Sequence, residues 1–151
     1  MTAYGFQVVV DAAAPHDLAD WWAAALGWEV EPSDEAFIRK MIAEGYAAED
    51  DAIQHNGVLV WREGAAIRPP GAAAAGGPAG GPGYSRVLFQ LVPEAKTVKN
   101  RLHLDLRTGA GQAGVVARLV AAGATELHRG QQGPHHWVTL ADPEGNEFCV
   151  A

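Results

Sequence analysis

One run of six residues concentrates groups that could do chemistry. In Arg101-Leu102-His103-Leu104-Asp105-Leu106 polar and apolar residues alternate strictly. A strand there puts the three leucines on one face and Arg101, His103 and Asp105 on the other. An imidazole between a guanidinium and a carboxylate can ligate a metal, carry a proton or hydrogen-bond a polar ligand. Cys149 is the one cysteine of the chain. It can bind a soft metal as thiolate or pack as a small apolar side chain. His135 and His136 are neighbours, so in a strand they point to opposite faces and do not chelate together. His16, His55 and His128 read as surface or cap residues, and Asp50-Asp51 as a solvated turn. No phosphate-binding G-x-x-x-x-G-K loop and no G-x-S-x-G nucleophile elbow occurs.

The elements that would carry these groups repeat. Gly5–Val10 reads as a strand, and Pro15 opens a helix with apolar Leu18, Trp21, Trp22, Ala25 and Leu26 stopped by Gly27. Trp28–Glu31 is a second strand. Ser33 is the expected N-cap of a helix through Phe37, Met41 and Ile42. The segment AAEDDAIQ is ambiguous. Gly57–Arg62 and Ser85–Val92 read as strands, and residues 64–83, rich in Gly, Pro and Ala, as a loop. After Arg101–Leu106 come a helix over Gly114–Ala122 stopped by Gly123, strands at Thr125–His128 and His136–Leu140, the turn DPEGN, and a last strand EFCVA. Trp137 and Thr139 share one strand face and are candidates to wall a cleft.

The order strand, helix, three strands thus occurs twice. Gln7 and His103 lie 96 positions apart, as do Gly27 and Gly123, and Phe89-Gln90-Leu91 matches Phe148-Cys149-Val150. The fold expected is α+β: two tandem βαβββ modules, about 1–93 and 100–151 of a single domain spanning 1–151. They would form facing curved mixed sheets around a cleft, with helices outside. A cleft between halves is the default place for a small ligand.

Bulk properties narrow the partners. A net charge of −7 argues against nucleic acid and anionic membranes. No apolar run is long enough to span a bilayer, and the N-terminus lacks a signal-peptide pattern. With a single cysteine, these features point to a cytoplasmic protein.

Three motifs, ADWWAAALGW, KNRLHLDL and WVTLADPEGNEFCV, occur in this order over nearly the whole chain. Together they resemble the glyoxalase/bleomycin-resistance/dioxygenase (vicinal oxygen chelate) superfamily, in its glyoxalase-like domain subgroup. The resemblance implies small-molecule chemistry and a possible homodimer. In metal-dependent members the first and last strands of each half supply His or Gln, Glu, His and Glu. Carried over position by position, these fall on Gln7, Gln90, His103 and Cys149. The chain keeps Gln7 and His103 and departs at both carboxylates. A hard divalent cation is held largely by carboxylate oxygen, and an amide is no proton-transfer base.

The expectation is therefore a small-molecule-binding protein with a degenerate, metal-free site and a ligand pocket of Gln7, Gln90, Arg101, His103, Asp105 and Cys149. The alternative is a metal-dependent lyase, isomerase or dioxygenase. It would hold zinc, nickel, iron or manganese through Gln7 and His103, with Gln90 and Cys149 completing the set.

Overall fold

The computed structural model describes residues 6–71 and 85–151. The chain divides into two compact units, Met1–Pro93 and Glu94–Ala151. Each builds one four-stranded mixed sheet with the same strand order, and the fold is α+β.

In unit one, β1 (Val8–Ala12) leads into α1 (Pro15–Leu26). Proline at the first helical position presets φ, and Gly27 ends the helix in the left-handed region at φ +67°. The buried face of α1 carries Leu18, Ala19, Trp22 and Ala23. Trp21 and Trp22 pack edge to face, 5.2 Å between ring centroids. After β2 (Glu29–Val30) comes α2 (Glu35–Ala43). Its N-cap is Asp34, whose Oδ1 accepts from Phe37 N–H at 2.9 Å. The expected cap, Ser33, instead donates its hydroxyl to the Leu59 carbonyl at 2.7 Å.

A short 3₁₀ turn, Glu49–Asp51, precedes β3 (Ala52–His55) and β4 (Val58–Trp61), which resolves the ambiguous segment. Asn56 and Gly57 both take positive φ, +49° and +80°, as a two-residue hairpin turn demands. This hairpin is a separate two-stranded sheet.

The strand that completes the main sheet is β5 (Gly64–Arg68), which overturns the loop expected from residue 64 onward. It buries Ala66 and Ile67, and it needs glycine at its start because a Cβ on Gly64 would strike the Phe89 carbonyl oxygen. Composition mistook close packing for flexibility. Residues 72–83 of the expected loop lie outside the described residues. The sheet closes with β6 (Val87–Leu91), parallel to β1 and antiparallel to β5. Val10, Ala12, Val87 and Phe89 turn inward, while Val9, Asp11, Leu88 and Gln90 form the opposite face.

In unit two only Asp105–Leu106 of the expected strand 101–106 enters the ladder, as β7. Its partner β10 (Glu147–Val150) begins at Glu147, opposite residue 103 in this register, so residues 101–102 lie beyond its start, and Leu104 takes part only through its carbonyl, which accepts from Cys149 N–H at 2.9 Å. Leu102, expected on the buried leucine face, is 89% exposed. Helix α3 (Gln112–Ala121) buries Val116 and Leu119. Strands β8 (Thr125–Gln132) and β9 (His135–Ala141) complete the order β7-β10-β9-β8. Val138, Leu140, Phe148 and Val150 form the core face. The Asp142–Asn146 turn is closed by Asp142 Oδ1, which accepts from Glu144 N–H at 3.0 Å and Asn146 N–H at 2.9 Å. Among the described residues no helix is long and apolar enough to cross a membrane.

Candidate functional site

Strand alternation decides which groups meet. In unit two β10 turns Phe148 and Val150 inward, so Glu147 and Cys149 fall on the other face. Across the ladders Cys149 stands opposite Asp105 on one side and Thr139 on the other, and Thr139 stands opposite His128. A cavity of about 400 Å³ lies over this face. Its polar floor is His103, Asp105, Thr139 and Cys149, and Trp137 and His128 line it further along β9 and β8.

The floor is internally bonded. His103 Nδ1 and Asp105 Oδ1 are 3.1 Å apart. Thr139 Oγ1 lies 3.5 Å from Cys149 Sγ and 3.1 Å from His128 Nε2. One ligand atom from each of His103, Asp105 and Cys149 lies within 4.8 Å of the other two, a spacing that could hold a metal ion. The His103 and Asp105 side chains are 42% and 51% exposed, so the floor is open to solvent.

His128 is exposed, as expected of a surface residue, and it also lines the cavity. The register of β8 against β9 shifts between Glu126 and His128, and the bulge turns His128 toward Thr139. Trp137 lines the cavity, and across the ladder its indole fills the space a Gly130 side chain would need. Arg101 shares the segment of His103 but does not line the cavity.

Glu147, which residue types alone did not single out, is the most perturbed group. Its carboxylate accepts from Asn100 N–H at 2.9 Å and pairs with Lys96 Nζ at 3.1 Å. The Asn100 amide, with Lys96 adding to it, holds the carboxyl down to about 2. Glu147 thereby ties the connector that precedes His103 to the start of β10.

Gln7 and Gln90 belong to unit one. Gln7 Oε1 accepts from Arg86 Nη1 at 2.9 Å, and the same guanidinium forms a bidentate pair with Glu31 at 2.9–3.0 Å. Gln90 stands opposite Asp11 and lines a separate open hollow of about 740 Å³. The ladders also limit how the halves align. Val9 faces Leu88, and Asp105, 96 positions after Val9, faces Cys149. Kept at that offset, the counterpart of Cys149 is Leu88, not Gln90. The two sequence matches, Gln7 with His103 and Gln90 with Cys149, do not hold in one register.

The remaining histidines are structural. His16 is buried, and its Nε2 bonds the Trp61 carbonyl at 2.8 Å. His55 Nε2 bonds Asp20 Oδ2 at 2.7 Å and stacks near His16, 5.0 Å between centroids. Together they fasten the hairpin to α1. Expected as surface or cap residues, His16 is buried and His55 half-buried.

The sequence model of the glyoxalase-like domain matches residues 7–151. No curated protein matches. Among solved structures, a glyoxalase/bleomycin resistance protein/dioxygenase family enzyme from Burkholderia phytofirmans PsJN aligns over 95% of this chain and 94% of its own, with 16% identity and a TM-score of 0.55. A hypothetical protein from S. aureus aligns over 96% and 93%, at 10% identity and a TM-score of 0.55. The bleomycin-binding protein of Streptomyces verticillus, complexed with copper(II)-bleomycin, aligns over 100% and 97%, at 13% identity and a TM-score of 0.53. At such identities these likenesses concern the fold.

Proposed function

This chain belongs to the glyoxalase-like domain family, and from that premise we propose that it binds a small organic molecule, with the family's metal-ligand positions degenerate. The observation that carries this reading is the cavity of unit two. There an indole wall, Trp137, faces a floor of hydrogen-bonding groups, the pairing of apolar area and a few fixed polar atoms that small ligands use. The shared fold with a protein complexed with copper(II)-bleomycin adds support. A cytoplasmic location and a homodimer complete the proposal. The first rests on the single cysteine, which suits a reducing compartment, the second on the resemblance alone.

The competing reading is a metal-dependent lyase, isomerase or dioxygenase using Gln7 and His103. It needs the Gln7 amide oxygen for the ion, and that atom already accepts from the Arg86 guanidinium. A cation placed there would displace, or stand against, a positive charge held by Glu31. Gln90 brings a neutral carbonyl where the family brings a carboxylate.

The test is a calorimetric screen of small organic molecules against the full chain, repeated with His103→Ala and Trp137→Ala. We expect a ligand whose affinity falls about tenfold or more in each variant, as truncation of central pocket groups does. Ligands bound equally well by both variants would overturn the assignment. So would a stoichiometric hard cation, magnesium or manganese, that is lost on changing Gln7.

A further inference from the structure

We infer that His103, Asp105 and Cys149 form a binding site for a thiophilic divalent cation of the zinc class, contained entirely in unit two. The four positions carried over from the family do not fit such an ion as a set: Gln7 is engaged by Arg86, and Gln90 offers an uncharged oxygen. What the family splits between its two halves, this chain gathers in one. Asp105, two residues beyond His103 and the first residue of β7, supplies the carboxylate that positions 90 and 149 lack.

Three features carry the inference. The first is spacing. Tetrahedral zinc with bonds of roughly 2.0–2.3 Å separates its ligand atoms by roughly 3.3–3.8 Å. The three donors already lie within 4.8 Å of one another, so modest side-chain rotation closes the site.

The second is charge. A carboxylate and a thiolate together neutralise a divalent ion, and an imidazole adds a neutral nitrogen, so the set suits zinc better than magnesium or calcium. The nearby Glu147 carboxylate is committed to Asn100 and Lys96 and does not compete.

The third is support and access. Thr139, itself bonded to His128, places its hydroxyl beside the sulfur, an outer contact of the kind that orients metal ligands. His103 and Asp105 are open to solvent, which gives the ion a path in and leaves the fourth position to water. The inference goes beyond the organic-ligand reading and does not need it. Metal binding without any organic ligand would sustain the one and not the other.

The experiment is a titration of the full chain, freed of metal by chelator, with cobalt(II) and then zinc(II) alone, followed by absorbance and elemental analysis. We expect one cobalt per chain with an intense thiolate-to-cobalt charge-transfer band, displaced by zinc. Cys149→Ser should abolish the band. His103→Ala and Asp105→Asn should each weaken zinc binding by about 10–100-fold. Gln7→Ala and Gln90→Ala should leave it unchanged. Circular dichroism of each variant checks the fold, and Asp105→Asn, nearly isosteric, keeps the test open if a truncation unfolds. No stoichiometric cobalt, a band that survives Cys149→Ser, or affinity untouched by Asp105→Asn would each overturn the inference.

Discussion

At the scale of the residue, the alternation of Arg101–Leu106 was enough to put His103 and Asp105 together, and both line one cavity with Cys149. Two of its partners were hidden for local reasons. His128 reaches the cavity only through a bulge, which shifts a side chain by one position without any mark in residue type. Glu147 stands out only because a backbone amide 47 residues away points at it. That contact carries a pH prediction. The folded carboxyl titrates near 2, below its ordinary value of 4.5, so its contribution is complete above about pH 4.5 and is lost as pH falls toward 2. Glu147→Gln should destabilise the protein by about 1–3 kcal/mol at pH 7. Urea melts of both proteins should converge as pH approaches 2, and a gap that persists there would contradict the assignment. Gly130→Ala should drive a methyl group into the Trp137 indole, cost roughly 1–3 kcal/mol and change tryptophan emission.

At the scale of the element, signals written into single residues were legible and those that depend on a partner strand were not. Pro15 and Gly27 bound α1 as their backbone preferences require. The Asn56-Gly57 turn was a strong hairpin signal that went unread, because AAEDDAIQ before it looked irregular. β5 was invisible: glycine and alanines beside a Gly/Pro-rich tract read as loop, although here they let β5 approach Phe89 and bury against α1. Gly64→Ala should therefore cost roughly 1–3 kcal/mol although it adds only a methyl group. Gly27→Ala, whose Cβ would meet nothing within 4 Å, should cost about 1–2 kcal/mol through its left-handed backbone alone. Denaturant melts measure both costs, and amide hydrogen exchange distinguishes the two, since Gly64→Ala alone should loosen protection in β6.

At the scale of the whole molecule, the repeat foreseen from spacing appears as two sheets with one strand order, β1-β6-β5-β2 and β7-β10-β9-β8. The membership of its strands was less legible, since β4 was expected where β5 stands, and only hydrogen-bonded pairing tells them apart. The charge of −7 belongs to this scale too. Chromatography on immobilised duplex DNA at physiological salt should show no retention. The β3–β4 hairpin shares no ladder with either sheet and is fastened to α1 through His16 and His55 side chains. Such an appendage can be trimmed, extended or exchanged over evolutionary time without breaking a backbone hydrogen bond of the scaffold's ladders. Variation between kindred sequences should accordingly concentrate there.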